Sequence, residues 1–145
     1  MQLNEYMVST DREQMDLDLI YSNLARSYWA KDIPKETVAR SMEHSLCIGV
    51  FDRDHSQVAF GRVITDFATF AYIGDVFVIE ACRGKGIGKL IMRSIMELSE
   101  LQGLRRMILA TRDAHGLYVQ FGFSELANPT QLMEIRDSEI YSTRD

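Results

Sequence analysis

Only two prolines, two cysteines and one tryptophan occur among the 145 residues. So little proline, with nine glycines, excludes collagen-like repeats and long low-complexity filler. Cys47 and Cys82 cannot make a disulfide framework, and they stand in none of the usual metal-ligand spacings. No run approaches 18 apolar residues, so no helix is expected to span a membrane. The start, MQLNEYMVSTDREQMD, lacks a basic stretch followed by an apolar one, so no signal peptide is read there. The expectation is a reduced, soluble, cytoplasmic protein of one domain, residues 1–145.

Excess positive charge is also missing. The formal net charge is −5, which argues against a general nucleic-acid binder. The deficit is uneven. Between Ala81 and Arg112 the chain carries seven basic and two acidic residues, against nine and nineteen elsewhere. A basic island in an acidic chain suits one polyanionic ligand held in one place, although a solvated helix face would give the same count.

What is present has a clear order. Leu3 to Val8 reads as a first strand. Asp16 or Asp18 can cap a helix to about Tyr28, and Pro34 suits the first turn of a second, from Lys35 to about His44. Leu46–Phe51 and Gln57–Thr65 read as a hairpin. The segment Phe70 to Ile79, FAYIGDVFVI, is apolar on both faces, the mark of a central strand. A helix is expected from the glycine-rich turn to about Gln102, followed by a buried strand Arg106–Ala110. A short helix, capped by Asp113 and stopped at Gly122, comes next. Phe123–Leu126 and Gln131–Arg136 read as a closing hairpin. The order βααβββαβαββ implies a single α/β layer fold with a mixed, mostly antiparallel central sheet flanked by helices.

Chemistry concentrates in Asp75 to Leu90, DVFVIEACRGKGIGKL. A strand enters a glycine-rich turn that opens an amphipathic helix. Such a turn aims backbone N–H groups at an anion, and the helix N-terminus adds about half a positive charge. Glycine-rich turns also close strands onto helices for steric reasons alone. The spacing matches neither the nucleoside triphosphatase loop nor the dinucleotide fingerprint.

Arg83-Gly84-Lys85-Gly86-Ile87-Gly88 fits the pattern [Arg/Gln]-x-x-Gly-x-[Gly/Ala], and Leu117-Tyr118-Val119-Gln120-Phe121-Gly122-Phe123 fits L-Y-x-x-x-G-F. With both motifs in order, the chain resembles the GNAT superfamily of acyl-CoA-dependent N-acetyltransferases over nearly its whole length. The resemblance implies acetyl-CoA as cosubstrate and no metal. It implies that Arg83 to Gly88 hold the pyrophosphate, with Lys89 in reach of a phosphate. Phe77 and Val78 match positions whose backbone meets the pantetheine arm, and Tyr118 matches the frequent general acid. A phenol, with a reference pKa of about 10, stays protonated at neutral pH and can serve a leaving thiolate.

Two positions depart from the common pattern. Glu80 stands where a proline often follows the strand, and Thr111 where an asparagine often stands six residues before the leucine. Glu80 and Asp75 are both candidates for the base. Five residues apart, they face opposite sides of a regular strand, so at most one faces the amine; Glu80, nearer the expected thioester, is the preferred base. Tyr28 and Trp29 are candidate walls of an acceptor pocket, with cation–π contact to an amine; the same aromatics suit a core or a homodimer interface. The expected function is acetyl transfer to a primary amine, either a small cationic molecule or a protein lysine. A non-catalytic acyl-CoA sensor is the alternative.

Overall fold

A computed structural model describes residues 2–142. Five strands form one sheet in the order β1-β2-β3-β4-β5: β1 (Met7–Ser9), β2 (Leu46–Phe51), β3 (Gln57–Thr65), β4 (Phe70–Val78) and β5 (Arg106–Leu109). The first four are antiparallel neighbours, and β5 runs parallel to β4. Among the described residues four α-helices accompany the sheet: α1 (Leu17–Ala25), α2 (Lys35–Glu43), α3 (Ile87–Glu97) and α4 (His115–Val119). The expected mixed, mostly antiparallel sheet flanked by helices is the observed class.

Alternation along the strands divides the core into two layers. Cys47, Phe60 and Phe77 join Ile20, Leu24, Val38 and Met42 of α1 and α2. Ile48, Val63 and Ile73 point the other way, onto Ile87, Ile91, Met92 and Ile95 of α3. Burial on both faces explains why β2 to β4 read as nearly continuous apolar runs. At about 1.5–3 kcal/mol for each large side chain buried, these layers carry most of the fold's stability.

Polar side chains set the turns. The Asp52 carboxylate accepts from the amides of Asp54 and Ser56 and closes the β2–β3 hairpin. Asp66 does the same before β4. It accepts from the Thr69 hydroxyl and from the amides of Thr69, Ala68 and Phe70. Those bonds, led by the Thr69 hydroxyl, hold its carboxyl far below the usual carboxylate range. Gln57 is a buried polar side chain; it accepts from the Asp16 amide at 2.7 Å and donates to Ala59 O at 3.0 Å, so it ties the start of α1 to β3.

Several boundaries differ from the sequence reading, each for a local reason. Leu3–Glu5 is a 3-10 turn, and the first strand is only Met7–Ser9. Helix α1 stops at Ala25, short of Tyr28, because the Ser27 hydroxyl donates to Leu24 O and accepts from the Ala30 amide. Pro34 is the N-cap of α2 rather than a residue of its first turn. Helix α3 ends at Glu97; Leu98 turns extended, and the Gln102 amide group donates to the carbonyls of Met96 and Leu98. Thr111, not Asp113, provides the side-chain bond ahead of α4, accepting from the Ala114 amide at 3.0 Å. Strand β5 is half-buried, not buried. The closing hairpin is absent among the described residues. Phe123–Leu126 and Gln131–Arg136 have strand patterns but no strand partner, and Pro129–Gln131 forms a 3-10 turn between them.

Candidate active site

Strands β4 and β5 are unequal neighbours, nine residues against four. Their parallel ladder joins Phe70–Ile73 to Arg106–Leu109 and stops there, whereas β4 continues to Val78. Beyond Ile73 the β5-facing edge of β4 therefore lies open. Ile79 N donates to Val58 O, so antiparallel alternation turns the N–H and C=O of Val78 away from β3, into that opening, and those of Phe77 toward β3. The ring of Phe77 lies 5.9 Å from that of Phe60 in the core.

The opening leads to the glycine loop. Gly84 and Gly86 have φ of 78° and 83°, a region that L side chains rarely adopt. Gly86 is the N-cap of α3, with no side-chain cap and no acid in the first turn. The Leu90 amide is the first to bond back along the helix, to Gly86 O at 3.0 Å, which leaves the amides of Ile87, Gly88 and Lys89 available. A Cβ on Gly84 would meet nothing within 4 Å, and one on Gly86 only Leu3 Cδ2 at 3.9 Å. The loop is thus an open concavity of N–H groups at a positive helix end, flanked by exposed Arg83, Lys85 and Lys89. It fits a pyrophosphate. The Arg83 side chain also ties loop to strand, its Nε donating to Val78 O at 3.1 Å.

Across from the loop, a bulge reshapes β4. Phe60 pairs with Phe77 but Arg62 pairs with Gly74, so Gly61 opposes both Asp75 and Val76. Asp75 takes a φ of 55° there, uncommon outside glycine. Its carboxylate is fixed from two sides. Arg62 Nε donates to Oδ2 at 2.8 Å, and the Trp29 indole N–H donates to Oδ1 at 3.0 Å. Arg62 also donates to the Ser45 hydroxyl at 2.9 Å. This ion pair is well shielded, its side chains 18% and 12% exposed.

Trp29 and Tyr28 stand in the α1–α2 connection with rings edge to face, centroids 5.1 Å apart. Both are substantially exposed. The guanidinium of Arg112, from the segment after β5, lies 3.7 Å from the Tyr28 ring centroid. Tyr118 on α4 is half-buried, its ring 6.1 Å from that of Phe123. Burial, with smaller contributions from Tyr28 and Asp113, raises its phenol above the ordinary value. No described residue hydrogen-bonds its hydroxyl.

A sequence profile of the acetyltransferase (GNAT) family matches residues 13–123. The chain belongs to that family, and with it to the acyltransferases. A curated relative from Gibberella zeae is 30% identical over 79% of this chain and 76% of its own length. A crystal structure from Xanthomonas campestris is 51% identical, covers 95% of this chain and 97% of its own, and superposes with a TM-score of 0.92. Both carry the description "putative acetyltransferase". The glucosamine-6-phosphate N-acetyltransferase of Arabidopsis thaliana shares the fold at 16% identity, a TM-score of 0.63, and 91% and 97% coverage.

Within this GNAT fold, the loop residues Arg83 to Lys89 and the Val78 backbone border one opening. Trp29 is joined to Asp75 of β4, and Tyr28 beside it carries the Arg112 guanidinium over its ring. Glu80 sits apart, exposed in the 3-10 turn Glu80–Cys82 after β4. The expectation that Asp75 and Glu80 face opposite sides of a regular strand does not hold, because the bulge breaks the alternation at Asp75 and Glu80 lies outside the strand. Arg62, Ser45 and Arg112 escaped the sequence reading. The signal for the first was the lone Asp75 inside an apolar strand, which demanded a buried cation somewhere.

Proposed function

We propose that the protein transfers the acetyl group of acetyl-CoA to a primary amine, a small cationic molecule rather than a protein side chain. One observation carries the reading: β4 leaves β5 and runs, with its Val78 N–H turned away from β3, straight into an uncapped helix N-terminus lined by glycines. A pyrophosphate on the loop leaves the attached arm lying along that free edge, in the manner of an added strand.

The chain's own residues then have distinct tasks. Arg83, Lys85 and the amides of Ile87 to Lys89 neutralise the phosphates. The Val78 N–H suits the arm or the thioester oxygen. The acceptor nitrogen forms the new C–N bond as the C–S bond breaks. The Tyr118 hydroxyl gives its proton to the departing sulfur, and a carboxylate or water takes the proton that the amine loses. Glu80 remains one candidate for that carboxylate. Asp75 has the stronger support, since it stands among the aromatic side chains and each oxygen retains a lone pair beyond its bonds to Arg62 and Trp29. The acidic balance of the chain outside the basic loop favours a cationic acceptor.

The test is a screen of amines with acetyl-CoA and longer acyl-CoAs, read by free-thiol release. Turnover that depends on an amine supports the reading. Tight coenzyme binding with no amine-dependent thiol release under any condition replaces it with a sensor.

A further inference from the structure

A carboxylate and a guanidinium hold the same pair of aromatic rings from two ends. The Trp29 indole donates to Asp75 Oδ1 at 3.0 Å. Its neighbour Tyr28, 5.1 Å away between ring centroids, has the Arg112 guanidinium 3.7 Å from its own centroid. These contacts draw together the α1–α2 connection, the bulge of β4 and the segment between β5 and α4. Tyr118 of α4 lies in the same neighbourhood, since its phenol is raised by burial first and then by the nearness of Tyr28 and Asp113.

The two charges differ in how they are spent. Asp75 is paired with Arg62 at 2.8 Å, and Arg62 also donates to the Ser45 hydroxyl. Arg112 has no such partner. The ion pairs among the described residues join Lys35 to Asp18, Arg53 to Glu5 and Arg62 to Asp75, and no described carboxylate, carbonyl or hydroxyl accepts from Arg112. The Tyr28 ring steadies it by cation–π attraction, and its N–H donors remain for something else. The side chain is exposed, so a small solute reaches it.

A guanidinium steadied on an aromatic ring and left with a free fork suits a carboxylate, which it reads through two parallel hydrogen bonds. A single cation, with the acid Asp113 next to it in sequence, fits a monoanion. A phosphate dianion draws several cations or a run of backbone amides, and this chain gathers those at Arg83 to Lys89 instead.

We propose that Arg112 selects the acceptor, and that the acceptor is a primary amine that also carries a carboxylate. The carboxylate sits on the Arg112 fork, and the ammonium end is drawn toward Asp75. The inference rests on the reading of acetyl transfer to a small amine and narrows it to amines of amino-acid type. A diamino acid meets both demands, since it is cationic overall at neutral pH and still offers a carboxylate. The carboxylate takes no part in bond making; the acetyl group passes to nitrogen and the thiol leaves as before. Its task is to fix where the nitrogen lies.

Free lysine and ornithine, compared with 1,5-diaminopentane and 1,4-diaminobutane, test the proposal, because the members of each pair differ by the carboxylate alone. Two readouts apply: thiol release with acetyl-CoA, and fluorescence of Trp29, the sole tryptophan, with coenzyme A present. Wild type should favour the amino acid of each pair about 10- to 100-fold, through KM rather than kcat, the worth of one charge-assisted bidentate contact. Arg112→Gln should abolish that preference, and Arg112→Lys, which keeps the charge without the fork, should restore only part of it. Circular dichroism should not change, since the side chain is exposed. Equal losses with both members of a pair would mean that Arg112 only steadies Tyr28, and would overturn the proposal. A wild type that turns over the diamines without preferring the amino acids overturns it and leaves acetyl transfer intact. A Trp29 response to lysine that Arg112→Gln loses, with no thiol release from any amine, supports the subsite and overturns the enzyme reading instead. No response in either readout overturns both, and a stronger response to O-phosphoethanolamine than to lysine overturns the carboxylate assignment.

Discussion

The Trp29 indole donates to the Asp75 carboxylate at 3.0 Å across 46 residues of sequence, joining the α1–α2 connection to the bulge of β4. The contact orients an aromatic wall by a charged group that is itself held by Arg62. Replacing the tryptophan with phenylalanine keeps a ring and removes the donor. Trp29→Phe should raise the KM of the amine about fivefold, the worth of one hydrogen bond of about 1 kcal/mol, with coenzyme affinity unchanged. Steady-state kinetics in both substrates check this.

Asp75 itself bears more. Asp75→Asn keeps a side chain that tolerates positive φ but leaves the Arg62 guanidinium without its counter-charge in a shielded place. Removing one partner of a fully buried pair costs about 3–5 kcal/mol. With both groups partly exposed, about 2 kcal/mol is expected. Denaturant unfolding should show that loss, along with reduced turnover. An Asp75→Asn protein of wild-type stability would mean that solvent already screens the pair.

Gly86→Val should abolish coenzyme binding. A Cβ has room there, its nearest atom being 3.9 Å away; the obstacle is the φ of 83°, which a β-branched residue rarely adopts. Gly86→Asn tolerates that region and should retain the fold and part of the affinity. Calorimetric titration with coenzyme A separates the two variants. Equal affinity for wild type and valine would make the turn a purely structural link.

Cys47 is buried between β2 and α2, and burial pushes its thiol up to about 11 from an ordinary 9.0. A raised value in the folded state means that the neutral thiol is favoured by folding. The stabilisation is therefore complete below about pH 9 and is lost as pH climbs through about 11. In native protein at pH 8, thiol reagents should modify the half-buried Cys82 and spare Cys47 until the chain unfolds. Mass spectrometry after timed alkylation would show the order.

Local signals carried the central sheet. Leu46–Phe51 and Gln57–Thr65 have the bounds that their apolar runs and polar turn suggest. The glycine loop was equally plain, because positive φ and helix start are written in glycine itself. Three other features depended on distant partners. The bulge at Asp75 exists because Arg62 and Trp29 reach it from elsewhere, so strand periodicity alone placed Asp75 and Glu80 by the wrong rule. Helix α1 ends where the Ser27 hydroxyl competes for backbone groups. The expected last hairpin failed differently: QLMEIR has the strand pattern, but a pattern states what a segment can do and not whether a partner strand lies beside it.

Tyr118 separates an enzyme from a binding module. Tyr118→Phe keeps the ring against Phe123 and removes a hydroxyl that no described residue engages, so stability should change by less than about 1 kcal/mol, the usual worth of a hydrogen bond. Coenzyme affinity should hold as well. Turnover should fall by roughly 10²–10⁴ if the phenol supplies the proton to sulfur, about 3–5 kcal/mol of barrier. The pH profile gives an independent check. Burial raises this phenol above its ordinary value of 10.0, so it stays a proton donor to higher pH than a free tyrosine. Any alkaline decline that this group causes in wild-type turnover should therefore come at higher pH than for an ordinary phenol, and the variant should have lost that step. The raised value also favours folding below pH 10 and ceases to do so as pH rises through the folded-state value, so the alkaline limb must be read beside a melting curve. Turnover of Tyr118→Phe equal to wild type at every pH would remove the phenol from the chemistry and leave the proton to water.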